Sequence, residues 1–113
     1  MYGLTCRASE DGNFYFFIIS SDGYYAIGIM QEDGFSLLGQ DMMAYNAAIL
    51  TGVSLNHLRF DCSGSALSGF INGVLVALTE DEEYTHGDAG LIAGTFGEGG
   101  VEILFDDFVV RKP

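Results

Sequence analysis

Positively charged residues are scarce in this chain. Four Lys and Arg residues stand against 16 Asp and Glu residues, so the formal net charge is -12 at pH 7. Such a surface repels the phosphates of nucleic acids and of anionic membranes, and no basic patch offsets the repulsion. We therefore expect no nucleic-acid partner. The acidity is compatible with cation binding or with simple solubility.

Long apolar runs are absent as well. No run approaches the roughly 18 residues of a membrane-spanning helix, so we expect no membrane insertion. Residues 1–6 have neither the charged start nor the apolar stretch of a signal peptide. If the protein acts outside the cell, its export signal does not lie within this chain.

Cysteine and proline are nearly absent, whereas glycine is common. The only cysteines are Cys6 and Cys62, and the only proline is Pro113. A disulfide would stabilise the fold by roughly 4 kcal/mol in the chain-entropy model. Both cysteines fall at apolar strand positions, so two buried free thiols are an equal alternative. The 16 glycines between short apolar runs indicate tight turns rather than disorder.

Turn sequences divide the first part of the chain into apolar runs. Asp-Gly steps occur at residues 11–12, 22–23 and 33–34. Gly accepts the positive φ of a tight hairpin turn, and Asp tolerates it. The intervening residues 14–20 and 24–31 are rich in aromatic and β-branched side chains. They are predicted to form consecutive antiparallel strands.

The second half continues this pattern. Asn72–Gly73 joins the predicted strands 67–71 and 74–79 and is a strong hairpin signal. Residues 89–96 and 101–111 are predicted to form the last two strands, with a bulge near Asp107. Residues 55–62 are predicted to form a half-buried strand, with apolar Leu58, Phe60 and Cys62 opposite polar His57, Arg59 and Asp61.

Residues 40–53 are the least strand-like part of the chain. Within them, residues 44–50 are predicted to form either a short helical turn or a loop that packs on the sheets. We find no linker and no second domain, so residues 1–113 are predicted to form one domain. The number and spacing of the strands predict an all-β, antiparallel sandwich or barrel.

Several segments resemble a bacterial branch of the concanavalin A-like superfamily. That branch includes laminin G-like jelly rolls such as the accessory β-sandwich of exo-inulinases and keto-disaccharide hydrolase-like domains. The resemblance covers almost the whole chain, in order, and implies an antiparallel jelly-roll β-sandwich. The matching segments are residues 2–15, 19–25, 56–59, 70–73, 90–96 and 105–110.

The resemblance implies a non-catalytic module of a surface or secreted protein that binds carbohydrate. Related domains carry one or two further strands before the segment that opens this chain. Either the sandwich is trimmed at its N-terminus, or a strand comes from elsewhere. A missing strand leaves an unpaired edge, which favours a homo-oligomer or a strand-donating neighbour.

The aromatic strand 14–19 is the main candidate binding feature. Alternation predicts that Tyr15, Phe17 and Ile19 point into the core, and that Phe14, Phe16 and Ile18 point to the other face. Together with Tyr24 and Tyr25, the second set could form an aromatic platform for sugar rings. The favoured alternative is that a loop or a neighbouring subunit buries this face too. Asn72 is a turn residue that could also contact a ligand.

Other chemistry has weaker support in the sequence. Asp81, Glu83 and Asp88 are candidate calcium ligands, although their spacing matches no coordination motif and a solvated charge cluster is the simpler interpretation. His57 and His86 belong to no catalytic motif, so we expect no enzyme. Two hypotheses remain: an extracellular carbohydrate-binding or adhesion module, and a structural subunit that assembles through strand edges and an aromatic face.

Overall fold

The structure is a computed structural model that describes residues 1–52 and 55–93. Within these residues the chain is all-β, antiparallel and without helix, as predicted. The larger sheet has the order β4-β3-β2-β1-β9, with the short β5 paired to β3, and the smaller sheet has the order β6-β7-β8. The strands are β1 Tyr2–Ala8, β2 Phe14–Ile19, β3 Tyr24–Gln31, β4 Gly34–Leu37, β5 Ala44–Tyr45, β6 Leu58–Ser63, β7 Ala66–Ile71, β8 Val74–Glu80 and β9 Asp88–Ala93.

Tight turns connect these strands where the sequence predicts them. The β2–β3 hairpin pairs Phe17 with Ile27 and turns through Gly23, which has a φ of 99°. The β7–β8 hairpin turns at Asn72 and Gly73, whose φ values are 51° and 83°. A two-residue hairpin turn of this kind needs positive φ at both central positions, which Asn and Gly tolerate best.

The core lies between the two sheets. Tyr15, Phe17 and Ile19 of β2 are fully buried, which confirms the predicted inward set. The Phe17 ring lies against Gly69 of β7, where an added Cβ would be 2.7 Å from Phe17 Cε1. Glycine at this position therefore lets the sheets approach closely. Two facing sheets with a shared apolar core are consistent with a β-sandwich.

A disulfide joins the two sheets. Cys6 lies on β1 and Cys62 on β6, with 6.7 Å between their Cα atoms. Of the two alternatives left open by the sequence, the structure therefore has the bridge rather than free thiols.

Residues 44–50 form a two-residue strand followed by a loop, and no helix. The loop contains a single turn in which Ile49 N donates to Asn46 O at 3.2 Å. Ile49 anchors the loop in the core with 3% exposure. Asn46 Oδ1 accepts a hydrogen bond from Ala48 N at 2.8 Å, which closes the turn locally. The alternative of a loop packed on the sheets is therefore the correct one.

Two strand predictions extend beyond the described residues. Residues 94–96 of the predicted strand 89–96 lie outside them, as do the whole of 101–111 and its bulge near Asp107. Strand β6 begins at Leu58, later than predicted. In the described part of the chain, no helix has the length and apolarity needed to cross a membrane.

Candidate functional site

The exposed aromatic side chains of the described residues share one surface. Tyr24, Phe35 and Tyr45 are 41%, 62% and 61% exposed. The strand register places all three on the outer face of the larger sheet, which turns away from the smaller sheet. Phe14 and Phe16 of β2 point to the same side because side chains alternate along a strand. We call these five residues the aromatic face.

Tyr24 and Tyr45 form one end of the aromatic face. They are opposite each other in the β3–β5 pair, and their ring centroids are 5.9 Å apart. In the preceding turn, Ser20 N donates to Tyr24 O at 2.8 Å. The Tyr45 ring lies over Gly23, where an added Cβ would be 2.7 Å from Tyr45 Cε2. Asn46 N also donates to Gly23 O at 3.0 Å. This backbone hydrogen bond holds the end of β5, and with it the Tyr45 ring, next to Gly23.

Phe14, Phe16 and Phe35 form the other end. Phe16 points outward yet is only 4% exposed. Its ring lies across Gly28 of β3, where an added Cβ would be 2.2 Å from Phe16 Cζ. It also contacts Phe14 and Phe35 edge to face, with centroid distances of 6.5 and 6.3 Å. Phe16 is therefore buried between two more exposed rings, so the prediction that it contributes an exposed ring to a binding platform is wrong.

The sequence prediction did not separate the two neighbouring tyrosines correctly. Tyr24 belongs to the aromatic face, whereas Tyr25 pairs with Ile19 and packs against the core on the opposite side of the sheet. Adjacent strand residues must point to opposite faces. The structure therefore does not bring Tyr24 and Tyr25 into one binding surface.

Asn72 lies away from the aromatic face, in the turn of the smaller sheet. Its Oδ1 accepts from His57 N at 2.8 Å. Its Nδ2 donates to Ala48 O at 2.8 Å and to Asn56 Oδ1 at 2.9 Å. Both ends of the side-chain amide are therefore engaged in joining the turn to the neighbouring loop.

The three candidate calcium ligands are not assembled into a metal site. Among residues 1–52 and 55–93, no group of three or more His, Cys, Asp or Glu side chains is arranged to hold a metal ion. Asp81 Oδ1 instead accepts hydrogen bonds from Tyr15 Oη at 2.5 Å and from Glu83 N at 3.0 Å. Asp81 is thus committed to a protein contact, and Glu83 and Asp88 remain exposed in the same acidic segment.

Tyr15 anchors this acidic segment to the sheets. Burial, together with the hydrogen bond to Asp81, raises the pKa of Tyr15 to about 12. The Tyr15 hydroxyl also accepts from Tyr84 N at 3.0 Å, and Tyr84 Oη donates to Met30 O at 2.9 Å. These contacts were not predicted from the sequence. The available signal was that a buried Tyr hydroxyl requires a polar partner.

A separate cleft of about 170 Å³ opens between β3 and β8. Tyr25, Leu38, Gln40, Val76 and Thr79 are among its lining residues. Gln40 Nε2 already donates to Met42 O at 2.7 Å. The cleft is smaller than the roughly 300–1,000 Å³ of typical ligand pockets. The aromatic face is therefore the stronger candidate site.

The outer face of the smaller sheet offers no comparable ring. Its aromatic residue, Phe70, is covered by the guanidinium of Arg59, whose Cζ lies 4.7 Å from the ring centroid. Arg59 is held in turn by Asp61, with 2.7 Å between Nη2 and Oδ2. The Arg59 guanidinium therefore covers the face of the Phe70 ring that a ligand would need to contact.

Acidic residues are concentrated at the end of the molecule near Phe14 and Phe35. Two hairpin turns and the segment between β8 and β9 meet there. The positively charged Arg7 also lies at this end, where its Nη1 donates to Gly64 O at 2.6 Å. The acidic residues at this end are Glu10, Asp11, Glu32, Asp33, Glu80, Asp81, Glu82, Glu83 and Asp88.

Comparisons with models of known protein families, with curated proteins and with solved structures found no match.

Proposed function

We propose that this chain is a non-catalytic carbohydrate-binding module of a surface or secreted protein, built on a concanavalin A-like jelly roll. The observation that carries the proposal is the shared position of the exposed rings of Tyr24, Phe35 and Tyr45 on one sheet face. Sugar rings have flat apolar C–H faces that stack on such side chains, and their hydroxyls remain solvated.

Two further features support this proposal. The Cys6–Cys62 disulfide is of the kind that persists in oxidising compartments, which favours a location outside the cell or on its surface. His57 lies beside the Asn72 turn, whereas His86 lies in the acidic segment at the other end of the sheets. Among the described residues, neither imidazole ring is hydrogen-bonded to a carboxylate, which favours binding without catalysis.

A glycan array tests the proposal directly. Wild-type protein is applied with calcium and again with chelator, beside Tyr45→Ala, Phe35→Ala and the control Leu78→Ala. Leu78 is 65% exposed on the smaller sheet, so its loss removes apolar surface away from the aromatic face.

We expect reproducible glycan signals that Tyr45→Ala and Phe35→Ala weaken and Leu78→Ala preserves. We also expect the same signals in chelator, because Asp81, Glu83 and Asp88 form no assembled metal site. A blank array with correctly folded protein would refute the proposal. Loss of the glycan signal in chelator alone would show that binding requires calcium.

The second candidate function is assembly into a homo-oligomer. The half-exposed apolar rings of the aromatic face support it, because large apolar patches on soluble proteins often mark interfaces. Light scattering over a concentration series tests it. A mass that rises with concentration, and falls back to one chain in Phe35→Ala, would favour assembly over glycan binding.

A further inference from the structure

We infer that the ligand of the aromatic face is an extended, uncharged polysaccharide with a flat ribbon shape, bound along β3 from the Tyr24–Tyr45 end to Phe35. This inference rests on the proposed carbohydrate-binding function and specifies its ligand class. It follows from the spacing of the exposed rings and the charge around them.

The two exposed ends of the aromatic face are far apart. Tyr45 pairs with Tyr24 at the start of β3, and Phe35 pairs with Met30 near its end. At ~3.3 Å per strand residue, Tyr24 and Met30 are about 20 Å apart along the strand. A monosaccharide or disaccharide is too short to contact both ends at once. A chain of several pyranose rings can do so.

The positions between the two ends are covered. The outward positions of β3 between Tyr24 and Met30 are Ala26 and Gly28, and both are buried, so a ligand would contact the exposed rings at the ends rather than the strand between them. Phe16 lies flat across Gly28 instead of standing upright. A straight, ribbon-like chain, such as a β-1,4-linked glucan, mannan or xylan, can reach the exposed rings at both ends at once. A helically coiled α-linked glucan would curve away before it reached the second end.

The charge around the face excludes acidic polysaccharides. Glu10, Asp11, Glu32 and Asp33 occupy the two hairpin turns next to Phe14 and Phe35. Carboxylates accept hydrogen bonds from neutral sugar hydroxyls but repel uronic acids and sulfated sugars. The ligand is therefore expected to carry no negative charge.

Calorimetry with ligands of increasing length tests the inference. The probes are β-1,4-linked gluco-, manno- and xylo-oligosaccharides from disaccharide to hexasaccharide, with oligogalacturonides as acidic comparators. For at least one neutral series we expect affinity to rise at least about tenfold from disaccharide to hexasaccharide, because linked contacts at both ends reinforce each other. The oligogalacturonides should not bind measurably.

Variants at the two ends separate the possible outcomes. Tyr45→Ala and Phe35→Ala should each remove most of the length-dependent gain, whereas Tyr45→Phe, which keeps the ring, and Leu78→Ala should retain it. Thermal melting of each variant confirms that it is folded. If a disaccharide binds as tightly as a hexasaccharide, carbohydrate binding stands and the extended ligand is wrong. If no saccharide binds, the proposed function itself fails.

Discussion

Gly69→Ala is expected to destabilise the protein because Gly69 is the point of closest approach between the sheets. An added Cβ would lie 2.7, 2.8 and 2.9 Å from Phe17 Cε1, Cζ and Cδ1. Phe17 is fully buried, so its ring has little room to move. Overpacking of a filled core costs about 1–3 kcal/mol. Replacing Gly by Ala recovers about 0.4–1 kcal/mol by restricting the unfolded chain.

The expected net loss is therefore about 1–2 kcal/mol. Urea unfolding followed by circular dichroism measures it. With an m value of about 1–3 kcal/mol/M, the midpoint should fall by about 0.3–2 M while the slope stays unchanged. A change in slope would instead mean that the compactness of one of the two states had changed.

A smaller side chain at Phe17 provides the control. In a Phe17→Leu background the clash is relieved, so Gly69→Ala should become neutral or slightly stabilising. The double-mutant cycle should thus give a coupling of at least about 1 kcal/mol between the two positions. Equal costs of Gly69→Ala in both backgrounds would show that these residues do not press on each other and would refute the described packing of the sheets.

Three other perturbations test separate parts of the structure. Replacing both Cys6 and Cys62 by Ala should lower stability by about 4 kcal/mol, as loop entropy in the unfolded state predicts; an unchanged melting temperature under non-reducing conditions would contradict the bridge. Tyr15→Phe should cost about 1.5–3 kcal/mol at neutral pH because Tyr15 donates to a carboxylate. Since the folded-state pKa of about 12 exceeds the ordinary value of 10.0, the stabilisation by Tyr15 is complete below pH 10 and is lost between pH 10 and about pH 12. Over that range the free energy of unfolding of Tyr15→Phe should therefore fall less steeply with pH than that of the wild type. Parallel curves of unfolding free energy against pH for the two proteins would argue against the raised pKa of Tyr15. Asn72→Gly keeps the positive φ but loses three hydrogen bonds, so it should cost about 1–3 kcal/mol, and Asn72→Ala should cost about 1 kcal/mol more because it also strains the turn; a reversed order in chemical denaturation would contradict this assignment.

The strands of the described residues could largely be predicted from local signals. Asp22–Gly23 and Asn72–Gly73 lie in tight turns because few residues other than Gly and Asn adopt positive φ readily. Alternation along residues 14–19 also separated the core set from the outward set, since the side-chain period of a strand does not depend on its partner.

The composition of the aromatic face was only partly predictable. Phe14, Phe16 and Tyr24 follow from alternation, which also could have excluded Tyr25. Tyr45 lies in the stretch with the weakest strand pattern, and its position depends on pairing with a strand some twenty residues earlier in the chain. Single-strand periodicity carries no information on such a pairing.

Side chains that hold loops in place were the hardest to interpret. The sequence predicts that Asp81 is part of a solvated acidic run, but Asp81 accepts a hydrogen bond from the hydroxyl of Tyr15 on the distant strand β2. Asn72 reads as a turn residue with a free amide, but Ala48 O and Asn56 Oδ1 engage it. In both cases the deciding partner is remote in sequence and becomes visible only once the sheets are packed.

The disulfide also divides the chain mechanically. Every residue of the aromatic face lies between Cys6 and Cys62 in sequence. Tension applied to the chain before Cys6 and after Cys62 passes through the covalent bridge and does not pull on the segment between them. Strands β2 to β5 can then keep their pairing while residues outside the bridge are stretched. The aromatic face would then keep its geometry under shear that extends the rest of the chain.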